Sequence, residues 1–308
     1  MWKSLSVRLL LITAFLAAGC DGIQKSEEQA ILVSTDWLQS QLNNPKSIVL
    51  HIGSEELFDS IHIPGARLLL PGDFTVSNDS VRNELPPLDT IVNLLRRSGV
   101  NNDSRIVLCY EKDSLISRTA RAYVTMVHAG LADRTLVLNG GLPAWLEEER
   151  EATNRVDQIS LGKLEAMVPV EVIMSTEDLE MNRWSPDVVV VDVRTEEEYH
   201  GTPATNEEEA DGGHIEGAYF LPYQTSLRED SSHLFRSDAE LEKLFLDAGM
   251  DRSRTNVVYC GSGIRASVSF LLARQLGFPV LLYDGSYQEW VRLDLPLTGP
   301  VELPGENE

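Results

Sequence analysis

The sequence predicts an α/β protein made of two tandem copies of one domain, each a parallel sheet with helices on both faces. Internal repetition is the first observation that carries this. Ser34-Thr35-Asp36-Trp37-Leu38 returns as Ser175-Thr176-Glu177-Asp178-Leu179, and His62-Ile63-Pro64-Gly65-Ala66 returns as His214-Ile215-Glu216-Gly217-Ala218. Leu138-Asn139-Gly140-Gly141 with Trp145 returns as Tyr283-Asp284-Gly285-Ser286 with Trp290. An offset of about 150 residues is far longer than a solenoid repeat, so the duplicated unit is a whole domain. The second observation is that short β-branched runs alternate with amphipathic stretches inside each copy. Such alternation is the pattern of a parallel sheet covered on both sides.

In the first copy, apolar runs predict strands over Ile48–Ile52, Arg67–Leu70, Ile106–Tyr110 and Leu136–Leu138. Helical spacing predicts Thr35–Leu42, Leu88–Arg97, Ser117–Ala129 and Pro143–Glu149. In the second copy the strands fall at Val188–Val193, Ala218–Leu221, Asn256–Tyr259 and Val280–Tyr283. The helices there are Thr176–Met181, Ala239–Ala248 and Ser267–Leu276. The copies span 31–150 and 171–298, joined by a linker at 151–170 that is poor in apolar periodicity, with a tail at 299–308.

Residues 1–19 read as an export signal. Lys3 and Arg8 form its positive start, and Leu9–Ala18 is an apolar stretch too short for a bilayer, which needs about 20 residues. Leu16-Ala17-Ala18-Gly19-Cys20 resembles a bacterial lipobox. That resemblance implies cleavage before Cys20, a lipid on its thiol, and a tether over 20–30. The protein is thus expected to be exported and lipid-anchored at the periplasmic face or an equivalent outer surface. A net charge of −22 repels nucleic acid and anionic headgroups, so the lipid would supply the membrane contact. Acidic runs such as Glu147–Glu149 and Glu207–Glu209 read as solvated surface.

The chemistry concentrates at Cys260. It follows the strand candidate Asn256–Tyr259 and opens the run Cys260-Gly261-Ser262-Gly263-Ile264-Arg265, which feeds a helix. In parallel sheets, ligands sit beyond the carboxyl ends of the strands. Backbone N–H groups converge in a glycine-bearing loop at a helix N-terminus and favour an anion. A thiol placed there is expected to ionise readily and act as a nucleophile. A core cysteine needs neither the two glycines nor the arginine. Cys109 and Cys260 are not expected to pair, since a disulfide would bring both strand ends nearly into contact. No spacing of His and Cys suggests a metal, and no cofactor is implied.

Together these residues resemble the rhodanese superfamily in its tandem two-domain sulfurtransferase form. The resemblance covers about Ile31 to Leu297. It rests on the Cys260–Arg265 loop, Asp192-Val193-Arg194, the two His-Ile-x-Gly-Ala turns, and Asp284-Gly285 with Trp290. It implies double displacement: Cys260 takes the outer sulfur of a small anionic donor and yields it to a thiophilic acceptor. Gly261, Ser262, Gly263, Ile264 and Arg265 would cradle the persulfide, with Ser262 able to reach donor or sulfur. Arg265 and Arg194 would hold the anion, although Arg194 could instead pair with the acidic segment Glu196–Glu198. Family members of this form keep the nucleophile only in the second copy. The first copy places Glu111 at the position matching Cys260, with His51 for Asp192 and Gly53 for Arg194. It is therefore expected to be catalytically silent and to wall the cleft, with Cys109 a buried strand residue. His62 and His214 read as structural turn residues, and Asp284 and Asn139 as turn chemistry.

A cysteine phosphatase would place five residues between Cys and Arg, whereas four intervene here. A persulfide carrier or sensor, or a partner-binding module at the membrane, stays open. The donor is equally open. Cys-Gly-Ser-Gly resembles 3-mercaptopyruvate enzymes, the Ile264-Arg265 ending resembles generic rhodanese loops, and thiosulfate enzymes place basic residues directly after the cysteine.

Overall fold

Continuous β-branched runs such as Val188-Val189-Val190-Val191 suit strands buried on both faces, and in the computed structural model they form two parallel sheets. The structure describes residues 30–77, 82–165, 168–201 and 213–299. The proposed signal, nearly all of the tether, the Glu207–Glu209 run and nearly all of the tail lie outside those residues.

The first copy runs β1 (Leu32–Val33), α1 (Thr35–Gln41), β2 (Ser47–Ile52), α2 (Glu55–Ser60), β3 (Arg67–Leu69), α3 (Leu88–Arg97), β4 (Arg105–Tyr110), α4 (Ile116–His128), β5 (Thr135–Leu138) and α5 (Gly141–Glu147). Its sheet order is β1-β5-β4-β2-β3, parallel throughout. The second copy runs α6 (Thr176–Asn182), β6 (Val188–Asp192), α7 (Glu196–His200), β7 (His214–Ile215), β8 (Tyr219–Phe220), β9 (Leu227–Arg228), β10 (Ser231–Phe235) and α8 (Asp238–Asp247). It continues with β11 (Thr255–Tyr259), α9 (Ala266–Leu276), β12 (Val280–Leu282), α10 (Ser286–Arg292) and β13 (Leu297–Thr298). Its sheet order is β12-β11-β6-β8, again parallel, and Ile173 bridges Leu282 where the first copy has β1. The repeated serines do the same work in both copies: Ser34 caps α1 and Ser175 caps α6 through their side-chain oxygens.

Several elements go beyond the sequence expectation. Helix α7 forms from the acidic run after Arg194, started by a capping box between Thr195 and Glu198. Helix α2 is its counterpart in the first copy, capped by Ser54. Helix α10 closes the second copy, and β9 and β10 make an antiparallel hairpin. The linker is fastened to the first copy despite its weak periodicity. Arg96 Nε donates to the Leu164 carbonyl at 2.7 Å, and Lys163 N donates to Asn101 Oδ1 at 2.8 Å. Gly162 passes so close to the Val100 backbone that a Cβ there would collide with it.

Side chains alternate across each strand, which assigns every strand residue to one of two faces. Val189, Val191, Val258 and Cys260 point into one large core, and Val190, Val257 and Tyr259 into a smaller outer one. The large core continues through Phe270 and Leu271 of α9 and Tyr123, Val124 and Val127 of α4 to Leu50 and Leu108 of the first sheet. The two copies therefore share a core between α4 and α9. Gln275 of α9 adds a polar tie, accepting the Ile31 N–H at 2.7 Å.

Candidate active site

The loop from Cys260 to Arg265 is set by what holds its carbonyls. The N–H of Tyr287 donates to the Cys260 carbonyl at 2.9 Å, and that of Gln288 to Gly261 at 3.1 Å. Ser286 Oγ accepts the Cys260 N–H at 3.3 Å. Gly263 has φ +82°, and a Cβ there would lie 2.6 Å from Asp284 Oδ1, so conformation and space both require glycine. With the carbonyls turned toward α10, the opposite groups are left over. Among the described residues no acceptor meets the N–H of Gly261, Ser262, Gly263, Ile264 or Arg265. These donors lie at the head of the eleven-residue α9, next in the chain to the buried Cys260 thiol.

The arginines chosen from the sequence both lie at this loop, and both are paired. Arg265 forms a bidentate ion pair with Glu198, two contacts of 2.6 Å. Burial works against the Arg265 charge, but Glu198 and the nearby Cys260 hold its pKa above the ordinary value. Arg194 is gripped by Asp192, with Nη2 to Oδ2 at 2.7 Å, and lies 3.8 Å over the Tyr287 ring. The carboxylate that grips Arg194 is thus Asp192, while Glu198 of the acidic segment serves Arg265. A two-residue spacing lets Asp192 cap the Arg194 N–H at 2.9 Å as well as its guanidinium.

Asp284 also needs correction. It is no local turn residue but an interdomain anchor, receiving Arg121 of α4 at 2.6 and 2.8 Å and the Leu85 N–H at 3.2 Å. Asn139 does the equivalent in the other direction, accepting the Phe235 N–H at 3.1 Å. A segment of the first copy thus crosses the Cys260–Arg265 loop. Asn83 Nδ2 donates to Ser262 Oγ at 3.0 Å, Asn83 Oδ1 accepts from Arg118 at 3.3 Å, and the Asn83 carbonyl accepts from Arg121. Sequence reasoning missed Asn83, Arg118 and Arg121, since they lie in the first copy, more than 130 positions before the Cys260 loop.

Strand register corrects the counterpart of Cys260. His51 pairs with Cys109 as Asp192 pairs with Tyr259, and Leu108 with Val137 as Val258 with Leu282. Tyr110 therefore matches Cys260, and Glu111 matches Gly261. Glu111 is buried, accepting the Ser54 N–H at 2.6 Å, with His51 Nε2 at 3.6 Å. Its carboxylate fills the space beside Gly53, where a Cβ would strike it. Burial lowers the His51 pKa to about 4, outweighing the opposing pull of Glu111. Cys109 faces the outer core, and burial pushes its thiol well above the ordinary range. Both cysteines are free. His62 stacks on Phe58 and His214 on Tyr199, each with Nδ1 at that residue's carbonyl, which is the same structural part in both copies.

Comparison with known proteins agrees with this architecture. The rhodanese-like domain model matches residues 34–148 and again 175–293. The Sulfur carrier protein TtuD of Thermus thermophilus is 34% identical over 85% of this chain and 94% of its own. The Thiosulfate sulfurtransferase of Corynebacterium glutamicum is 30% identical over 95% and 97%. Among solved structures, the 3-mercaptopyruvate sulfurtransferase SseA of Escherichia coli superposes with a TM-score of 0.71 at 23% identity, covering 84% of this chain and 99% of that one. EanB bound to ergothioneine gives 0.78 at 22% identity, covering 91% and 72%. The chain belongs to the rhodanese family, as a tandem of two rhodanese-like domains.

Proposed function

We propose that the protein is a sulfurtransferase in which Cys260 carries sulfur from a small anionic donor to a thiophilic acceptor. The observation that carries this reading is the set of five backbone N–H groups, 261 to 265, that meet no acceptor among the described residues, beside Cys260 in the core shared by the copies. With thiosulfate, the Cys260 thiolate attacks the outer sulfur. The bond between the two donor sulfurs breaks, sulfite leaves with the electron pair, and a Cys260 persulfide remains. With 3-mercaptopyruvate the carbon–sulfur bond breaks instead, and the enolate of pyruvate departs and takes a proton. An acceptor such as cyanide then attacks the outer sulfur, leaves as thiocyanate and restores the thiolate. Preorganised N–H dipoles stabilise the charge on sulfur at each stage. The first copy serves as the wall of this site, since Tyr110 stands in the nucleophile's place.

Donor treatment followed by peptide mass spectrometry tests the assignment. The added mass of one sulfur atom should appear on the Cys260 peptide, vanish in Cys260→Ser, and persist in Cys109→Ser. Sulfur found on Cys109 instead would refute it. Likeness to a protein named as a sulfur carrier favours a second reading, a persulfide carrier that unloads only onto a protein. That version loads stoichiometrically yet yields no thiocyanate when cyanide is the only acceptor.

A further inference from the structure

Granting that Cys260 receives the sulfur, its anionic donor needs positive charge that no carboxylate has already neutralised. Three guanidinium groups around the loop fail this condition: Arg265 is paired with Glu198, Arg194 with Asp192 and Arg121 with Asp284. Arg118 meets it. This half-buried residue in the first turn of α4 has no carboxylate partner among the described residues. Its partner is the neutral Asn83 Oδ1 at 3.3 Å, and the nitrogen of the same amide donates to Ser262 Oγ at 3.0 Å. One amide thus spaces the cation from a hydroxyl two residues beyond the nucleophile. Asn83 is fixed in this role by its carbonyl bond to Arg121 and by a φ of +63°, which asparagine tolerates better than most residues.

We propose that Arg118, supplied by the first domain, is the donor-binding cation of the Cys260 site. The donor's anionic end then meets the Arg118 guanidinium and the Ser262 hydroxyl, while its transferable sulfur faces Cys260. Each copy is thereby indispensable: one gives the thiol and the N–H cradle, the other the charge. Arg82 lies on the same crossing segment but is exposed, and its backbone carbonyl is what the structure ties to Gln288. It serves as the control.

Alkylation of the full-length, reduced protein separates charge recognition from sulfur chemistry. Iodoacetate and iodoacetamide form the same kind of bond from Cys260 sulfur to carbon and release iodide, and they differ by one negative charge. Arg118→Gln should lower the ratio of iodoacetate to iodoacetamide rates at Cys260 by roughly tenfold, the effect of one lost charged hydrogen bond. The iodoacetamide rate itself should stay near wild type. Arg118→Lys should keep most of the preference, and Arg82→Gln all of it. The thiosulfate KM should rise in Arg118→Gln with little change in kcat. A wild-type ratio carried into Arg118→Gln, or lost in Arg82→Gln instead, overturns the assignment. So does a wild-type ratio indifferent to ionic strength, a measurement that does not depend on any variant folding. If Cys260 accepts sulfur from no donor, the sulfurtransferase reading falls while the alkylation ratio still decides the role of Arg118.

Discussion

Around Tyr110 and around Cys260 the same backbone is used twice with different chemistry. In both places a strand end meets a helix start, a segment from the other copy crosses over, and a residue after the last strand accepts its N–H. That residue is Asn139 for Phe235 and Asp284 for Leu85. At Tyr110 the contacts are neutral or acidic: the phenol donates to the His233 carbonyl, and His233 lies 3.1 Å from Glu147. At Cys260 they are cationic, with Arg118 and Arg121 arriving from α4. On the first side the Glu111 carboxylate sits against Gly53 and the Ser54 N–H, whereas glycine stands at the matching place, 261, on the second. The difference teaches that a duplicated domain can vary its own loop and still shape its partner's, because each copy's crossing segment lies on the other's loop.

Breaking the buried tie on the catalytic side should have the largest effect on this asymmetry. Arg121→Ala leaves the Asp284 carboxylate buried without its cation, and removing one member of such a pair costs about 3–5 kcal/mol. Asp284→Asn keeps hydrogen-bonding capacity and should cost less. Urea unfolding read together with sulfur transfer checks this. A stable Arg121→Ala protein with full activity would show that the pair neither fastens the copies nor places Gly263.

The Tyr110 side should be sensitive to acid. His51 is held neutral by burial, its pKa lowered from 6.5 to about 4, so between those values the unfolded chain binds a proton that the native one does not. Stability therefore falls as pH drops through this window, on the order of 2–4 kcal/mol across it. Urea midpoints at pH 7 and near pH 4.5 should differ in the wild type and converge in His51→Asn. Equal sensitivity in both proteins would place the acid-labile group elsewhere.

What could be read from the chain before its structure follows from the range of the interactions. The repeats, the strands and the Cys260 loop are local patterns, and glycine spacing exposes the cradle without any partner. The arginines were legible by type but not by pairing, because Arg265 finds Glu198 67 positions away. Arg121 finds Asp284 at a separation of 163, in the other copy. The match of Glu111 to Cys260 slipped by one residue because the two loops share no side chain to anchor it. Only the strand pairing settles which residue stands opposite which. Helix α7 had a local signal, Thr195 three residues before Glu198, that the run of acidic residues obscured.

The smallest effect is expected where the silent site is tied by neutral groups alone. Tyr110 Oη accepts the Gly140 N–H at 2.8 Å while donating to the His233 carbonyl, so Tyr110→Phe orphans two buried backbone groups and keeps the ring. Such groups cost about 1–2 kcal/mol together when part of the loss is recovered by relaxation. The ring's packing in the shared core is untouched, so the domains should stay docked. Thermal unfolding should show a modest drop in Tm, and Cys260 should load sulfur at nearly the wild-type rate. A Tyr110→Phe protein that loses transfer with its fold intact would mean that the silent site speaks to the catalytic one through the α4–α9 core, and the two would then be one coupled site.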